Sequence, residues 1–221
     1  MTPEEILQGL YDETLVGNAP KVLDLTHEAL GMEMEPQSLL FDALIPSLEE
    51  VGARFERGDF FVPEMLIAGR AMAGSMEVLR PLLAETGVQT IGKFLMGTVK
   101  GDVHDIGKNL VNIMLEGAGF EVIDLGVQVA PETFVRKIEE HQPDIVGFSA
   151  FLTTTMPMFK ANINALQKAG MRDEVIVMVG GAPVTQEYAD AVGADGYAAD
   201  ASGCVRKAKA LLKEKRAKVS A

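Results

Sequence analysis

The chain has 221 residues, which accommodates one large domain or two modest ones. Its 48% hydrophobic and 24% charged residues are typical of a soluble globular protein, and a formal net charge of −12 argues against nucleic acid or an anionic membrane as main partner. The single cysteine, Cys204, excludes an internal disulfide; with no signal peptide and no apolar run long enough to cross a bilayer, this predicts a cytoplasmic protein.

The first part of the chain, up to about Glu85, has a helical pattern throughout. Proline opens each of four apolar-periodic segments, which is the usual start of a helix. These prolines are Pro3, Pro20, Pro36 and Pro63. Four helices with short connections predict a small antiparallel bundle, in which Pro46 and Pro81 allow kinks.

Beyond this part, strand-like runs alternate with helical runs. We expect a helical domain over residues 1–88, a linker over Thr86–Thr90 and a second domain over residues 89–221. Strands are predicted at 94–99, 121–125, 145–149, 175–179 and 196–198, and helices at 106–116, 131–140, 155–169, 183–192 and 201–215. This alternation predicts an α/β fold, with a five-stranded parallel sheet in the doubly wound, flavodoxin-like order.

A ligand of such a sheet lies outside the carboxyl ends of the strands, where the strand order reverses. In the flavodoxin-like order this point lies between the first and third strands. The loop after the first strand contains His104, one of three histidines, and the loop after the third strand is rich in hydroxyl groups. Gly180 and Gly181 follow the fourth strand, so the unusual residues converge on one edge of the sheet.

Several roles for His104 compete when the residues alone are considered. His104 and Asp105 form a pair of the kind found in metal-dependent phosphohydrolases, but the further ligands are missing because His27 and His141 are poorly placed. The chain lacks the glycine motif of a serine hydrolase and also that of a dinucleotide-binding site. A purely structural role, in which His104 caps the helix that begins at Ile106, remains an open alternative.

The run over residues 101–107 is the first part of a three-part motif. Together with Ser149, Leu152 and Thr153 and with the pair Gly180-Gly181, it resembles the cobalamin-binding signature of methionine synthase and of the corrinoid proteins of methyltransferase systems. The resemblance covers essentially the whole chain. It implies an N-terminal four-helix cap, in which Phe55 and Val62 fall where the cap of methionine synthase presents a phenylalanine and a leucine to the methyl face. The sequence is thus similar to stand-alone corrinoid proteins serving methanol, methylamine, betaine or aryl methyl ether (O-demethylase) methyltransferases.

This resemblance implies a role for each part of the motif. His104 would bind cobalt as the lower axial ligand, in the base-off/His-on state, and Asp102 and Thr155 would form a proton relay behind it. The alternative for Thr155 is a helix N-cap. No residue is expected to be catalytic by itself. The residues expected to contact cobalamin are Gly101, Asp102, Val103, His104, Asp105, Ile106, Gly107, Ser149, Leu152, Thr153, Gly180, Gly181, Tyr197, Ala198, Phe55 and Val62.

The function that the resemblance implies is that of a non-catalytic methyl carrier. It would shuttle a methyl group, as methyl-Co(III), from a substrate:corrinoid methyltransferase to a second methyltransferase with tetrahydrofolate or coenzyme M as acceptor. A reductive activator protein is the third expected partner, whereas nucleic acid and membrane are not expected. The alternative is a cobalamin-dependent regulator or sensor, although the chain shows no basic helix-turn-helix segment.

Overall fold

The structure, a computed structural model, describes residues 1–86 and 90–219. Its residues form two compact units, of which the first covers Met1–Thr90 with Glu116–Gly119 and the second covers the rest. The predicted boundary between residues 88 and 89, and the middle of the predicted linker at residues 87–89, lie outside the described residues, so the exact boundary stays a prediction.

The first unit is helical, as predicted. Its elements are α1 (Pro3–Leu15), α2 (Ala19–Gly31), α3 (Pro36–Leu39), a π-helical segment (Leu40–Leu44), α4 (Ile45–Arg57) and α5 (Val62–Thr86). Helix α1 starts with a capping box, because Thr2 Oγ1 accepts a hydrogen bond from Glu5 N (3.2 Å) and Glu5 Oε2 accepts one from Thr2 N (2.8 Å). Helices α1 and α5 each pack against both α2 and α4, which closes the bundle.

The third predicted helix is interrupted rather than regular. It consists of α3, the π-helical segment and α4, with Pro46 in the first turn of α4. Proline has no backbone N–H and cannot continue the α-helical hydrogen-bond ladder, and a π-helical segment accommodates such a break. Helix α5, in contrast, continues past Pro81 to Thr86.

The second unit alternates strands and helices. Its strands are β1 (Lys93–Thr98), β2 (Glu121–Asp124), β3 (Ile145–Ser149), β4 (Ile176–Gly180) and β5 (Gly196–Tyr197). Its helices are α6 (Ile106–Gly117), α7 (Pro131–His141), α8 (Pro157–Lys168), α9 (Gln186–Val192) and α10 (Ala201–Val219). All strand pairs are parallel and the order is β2-β1-β3-β4-β5, which confirms the flavodoxin-like prediction.

Strand register brings three loops of this unit together. Thr98 at the end of β1 pairs with Ser149 at the end of β3, and Ser149 pairs with Gly180 at the end of β4. The residues packed below this edge are apolar. Phe148 of β3 and Phe134 of α7 are fully buried, with ring centroids 4.7 Å apart and planes at 73°. The rigid core therefore fixes the carboxyl ends of three neighbouring strands side by side.

Two helices of the second unit begin later than predicted. Helix α8 begins at Pro157 rather than at residue 155, and α9 begins at Gln186 rather than at residue 183. Before α9, Val184 N donates to Gly181 O (3.0 Å) in a turn, and Thr185 Oγ1 then accepts from Tyr188 N (3.2 Å) as the N-cap. The error arose because Pro183 lies in that turn and not in the first turn of the helix.

Candidate functional site

A buried carboxylate, Asp102, is the centre of the candidate site. It lies in the loop between β1 and α6 and has no exposed surface. Its Oδ1 accepts a hydrogen bond from His104 N (3.0 Å) and lies 2.7 Å from His104 Nδ1. Its Oδ2 accepts from Phe151 N (2.8 Å), Leu152 N (3.1 Å) and Thr155 Oγ1 (2.7 Å). One side chain thus joins the loop after β1 to the loop after β3.

These contacts determine the ionisation of Asp102. Burial alone would raise the pKa of Asp102, but hydrogen bonds from Thr155, from the backbone and ring of His104 and from the Phe151 backbone hold that pKa well below its usual 3.8. An ionised carboxylate only accepts hydrogen bonds, so Nδ1 of His104 must donate. In the neutral ring, Nε2 therefore keeps its lone pair and can bind a metal.

The surroundings of His104 are apolar and open. The His104 side chain is 44% exposed, and Phe151 stacks on its ring with centroids 4.5 Å apart and planes at 29°. Val103 and Leu152 also expose apolar side chains in the same two loops, and Ile106 exposes one at the start of α6. Apolar side chains left exposed around one polar nitrogen are typical of a ligand-binding surface.

Hydrogen bonds from the end of β1 and from the loop after β2 hold the His104 loop. Thr98 Oγ1 donates to His104 O (3.1 Å), and Gln128 N donates to Asp102 O (3.1 Å). Gln128 adopts a positive φ of 55°, which is uncommon for a residue with a side chain. The carboxylate and the backbone carbonyl of Asp102 are therefore both hydrogen-bonded, and the loop has a defined backbone conformation.

An ion pair between a buried lysine and an exposed aspartate fixes the loop that contains Gln128. Lys108 in α6 is buried, and its Nζ contacts the carboxylate of Asp124 at the end of β2. The other oxygen of Asp124 accepts from Gly126 N (2.8 Å). A buried lysine is rare unless it is paired, so we interpret this contact as structural support for the site.

The two glycines after β4 differ in what surrounds them. A Cβ on Gly181 would lie 1.8 Å from Ala150 O, and Gly181 has a φ of +134°. A Cβ on Gly180 would have only Ala198 O within 4 Å, at 3.9 Å. Gly181 is therefore required by packing against the loop after β3, whereas Gly180 borders open space.

Most of the other predicted site residues lie at the same edge of the second unit. They are Gly101, Asp105 and Gly107 around the start of α6, Ser149 and Thr153 after β3, and Tyr197 and Ala198 at the end of β5. Phe55 and Val62 belong to the first unit, where they are half-buried near the end of α4 and the start of α5.

Thr155 does not cap α8. The N-cap position is Met156, without a side-chain hydrogen bond to the helix. The hydroxyl of Thr155 instead lies 2.7 Å from Asp102 Oδ2 and 2.8 Å from Leu152 O, and its single proton serves one acceptor at a time. The contact expected of a relay is present, and the capping alternative is wrong.

Sequence reasoning missed Phe151 and the pair Lys108–Asp124. The sequence contains one signal for Phe151: a large aromatic residue in a loop at the switch point of the sheet does not belong to the core, which indicates another role. The backbone N–H groups that bind Asp102 have no signal in the sequence, because every non-proline residue carries one.

Within residues 1–86 and 90–219, no group of three or more His, Cys, Asp or Glu residues is placed to hold a metal ion. No helix in this part of the chain combines the length and apolar character needed to span a bilayer.

Comparison with known proteins gives matches over both units. Family models described as B12 binding domain match residues 92–205 and residues 6–80. A dimethylamine corrinoid protein of Methanosarcina barkeri is 44% identical over 213 residues, which cover 96% of this chain and 100% of that protein. Trimethylamine corrinoid protein 2 of Methanosarcina mazei is 44% identical over 205 residues, covering 92% of this chain and 91% of that one.

Solved structures show the same similarity. The methanol:cobalamin methyltransferase complex MtaBC of Methanosarcina barkeri contains a chain with a TM-score of 0.82 and 26% identity, covering 96% of this chain and 81% of that chain. A monomethylamine corrinoid protein of Methanosarcina barkeri has a TM-score of 0.54 and 32% identity, covering 95% of this chain and all of that one.

Proposed function

The chain belongs to the corrinoid proteins with a B12 binding domain, with cobalamin as cofactor, and from this premise we propose that it carries methyl groups between two methyltransferases. In this proposal, His104 is the lower axial ligand of cobalt in a base-off/His-on state. The observation that carries it is the 2.7 Å contact between His104 Nδ1 and Oδ1 of the buried Asp102, which engages Nδ1 and leaves Nε2 available to a metal.

The residues of the second unit fit the cofactor in shape and polarity. The exposed apolar side chains of Val103, Ile106, Phe151 and Leu152 offer a surface for the corrin ring. Gly180 leaves space in which a Cβ would project, next to the end of β5, and we assign this space to the displaced nucleotide tail. Small side chains at Ser149 and Ala198 border the same edge.

When bound, cobalamin supplies the metal centre that accepts and gives up the methyl group. The chain contributes a ligand whose orientation is set by Asp102. Both oxygens of Asp102 are occupied by donors, and His104 Nδ1 is engaged by one of them, so Nε2 is the ring atom that would hold the metal. Thr155 stabilises the ionised form of Asp102 and thereby strengthens the His104 ligand.

The partners in this proposal are enzymes of methylamine metabolism. Relatives named as dimethylamine and trimethylamine corrinoid proteins support a methylamine:corrinoid methyltransferase on the donor side, and similarity to a chain of the methanol:cobalamin methyltransferase complex MtaBC supports a methyltransferase as partner. We propose a second methyltransferase, acting on tetrahydrofolate or coenzyme M, and a reductive activator protein as further partners. Phe55 and Val62 of the helical unit are assigned to the methyl face of the cofactor.

Methyl loading tests the function directly. The protein reconstituted with hydroxocobalamin and reduced should gain one methyl group per cobalt when mixed with a methylamine:corrinoid methyltransferase and its amine. Dimethylamine, trimethylamine, monomethylamine and methanol, each with its own methyltransferase, serve as parallel arms. Methylation in any arm supports the carrier function and identifies the donor. A protein that keeps its cobalamin but is methylated in none of them is not a carrier for these donors.

The glycine pair separates tail binding from loop packing. Gly180→Ala should leave the free energy of unfolding within about 1 kcal/mol of the parent protein and weaken cobalamin binding by about tenfold or more, since a methyl group fills space needed by the ligand. Gly181→Ala should lower the free energy of unfolding by about 3 kcal/mol, because the new Cβ meets Ala150 O.

Denaturant unfolding of the apo-proteins and equilibrium dialysis with hydroxocobalamin measure the two quantities. Equal destabilisation by both substitutions would contradict the distinction between them. Unimpaired cobalamin binding by Gly180→Ala would contradict the assignment of the tail to this space.

A further inference from the structure

We propose that Phe151 is a positioning residue, which holds the imidazole of His104 in the orientation that leaves Nε2 directed into the site. The inference rests on the proposed axial role of His104. Its basis is the ring stack, in which the two centroids lie 4.5 Å apart and the planes differ by 29°. This is the range in which aromatic rings attract each other by offset stacking.

One hydrogen bond does not fix a histidine ring. The imidazole turns about two side-chain torsions, and the contact from Nδ1 to Asp102 Oδ1, at 2.7 Å, restrains only one of the resulting motions. The ring can still swing about the line through that contact and change the direction of Nε2. The face of Phe151 blocks this swing, so hydrogen bond and stack together fix both torsions.

Phe151 is itself held by the carboxylate that holds His104. Its backbone N–H donates to Asp102 Oδ2 (2.8 Å), while the ring stacks on the imidazole bonded to Oδ1. The Phe151 side chain is 51% exposed, so it does not serve the core of the unit. Its position is explained by the histidine that it covers on one face.

The consequence is preorganisation of the ligand. Because the imidazole is ordered before cobalamin arrives, the entropy cost of ordering it does not reduce the binding affinity. Removing the aromatic ring while keeping an apolar side chain of similar reach should weaken cobalamin binding by about three- to tenfold.

Two variants isolate the stack. Phe151→Leu keeps the backbone N–H and an apolar surface but removes the ring, whereas Phe151→Tyr keeps the ring. In the apo-protein, NMR should show the ring protons of His104 shifted upfield by the ring current in the parent protein and in Phe151→Tyr, and not in Phe151→Leu; His104→Ala provides the assignment. Equilibrium dialysis with hydroxocobalamin should show weaker binding for Phe151→Leu and restored binding for Phe151→Tyr.

The NMR and dialysis measurements test separate parts of the proposal. His104 protons without an upfield shift in the parent protein, or with the same shift in Phe151→Leu, would overturn the stack. Parent-like cobalamin affinity in a Phe151→Leu protein that has lost the shift would overturn the positioning role. An affinity that His104→Ala leaves unchanged would instead refute the axial role on which the proposal rests, whatever the apo-protein spectrum shows.

Discussion

Replacement of Asp102 by alanine should lower the free energy of unfolding of the second unit by about 3 kcal/mol or more. The carboxylate accepts hydrogen bonds from three backbone N–H groups, one hydroxyl and one imidazole, all in the loops after β1 and β3. Alanine leaves these donors without an acceptor, and a donor left unpaired in a buried place costs more than an average hydrogen bond contributes. Denaturant unfolding of the apo-protein measures the loss.

Asp173→Ala is the matched control, since Asp173 is an exposed aspartate in the turn that precedes β4. We expect its free energy of unfolding to stay within about 0.5 kcal/mol of the parent value. A similar small effect of Asp102→Ala would show that water replaces the carboxylate at little cost, which contradicts the central role of Asp102.

The effect of Asp102 should depend on pH in a defined direction. Its pKa in the folded protein lies below the usual 3.8, so its contribution to stability is fully present above about pH 4 and is lost as the pH falls toward the folded value. The stability difference between the parent protein and Asp102→Ala should therefore shrink below pH 4. A difference that stays constant or grows on acidification would show that the carboxylate is not stabilised in its ionised form.

Replacement of His104 by alanine should have the largest effect on the cofactor. We expect cobalamin binding to weaken by about tenfold to a hundredfold and the visible spectrum of the bound cofactor to change, since the nitrogen that coordinates cobalt is removed. The apo-protein should stay folded, because the His104 side chain is 44% exposed. Added imidazole should restore the spectrum in part, as it fits the space left by the side chain.

His141→Ala is the control for this substitution. His141 ends α7, is half-buried and contacts Glu140, and it has no place in the proposed site. Its spectrum and cobalamin affinity should match those of the parent protein. If His104→Ala resembles His141→Ala in both measurements, His104 is not the ligand.

Much of the architecture follows from local patterns. The alternation of strands and helices predicted a doubly wound sheet in the flavodoxin-like order, and that order places His104 opposite the hydroxyl-rich loop, because parallel strands end at the same edge. Thr155 and Asp102, more than 50 residues apart in sequence, therefore lie within hydrogen-bond distance as the resemblance implies.

The remaining features depend on three-dimensional context. The predicted start of α9 was wrong because Pro183 occupies a turn. Only the hydrogen bond from Val184 N to Gly181 O distinguishes this turn from the first turn of a helix. The distinction between Gly180 and Gly181 depends on where one carbonyl, Ala150 O, lies in space. The ionisation of Asp102 depends on backbone donors that any residue supplies, so no sequence pattern predicts it.

In the proposed function, His104 coordinates cobalt in place of the cofactor's own base. Electron paramagnetic resonance of the reconstituted protein in the Co(II) state distinguishes the two nitrogens when natural-abundance and ¹⁵N-histidine-labelled protein are compared. Coordination by histidine predicts that each cobalt line is split into a triplet by ¹⁴N and into a doublet after labelling, and that His104→Ala abolishes the doublet. A triplet that persists in the labelled protein would assign the nitrogen to the cofactor and contradict coordination by His104.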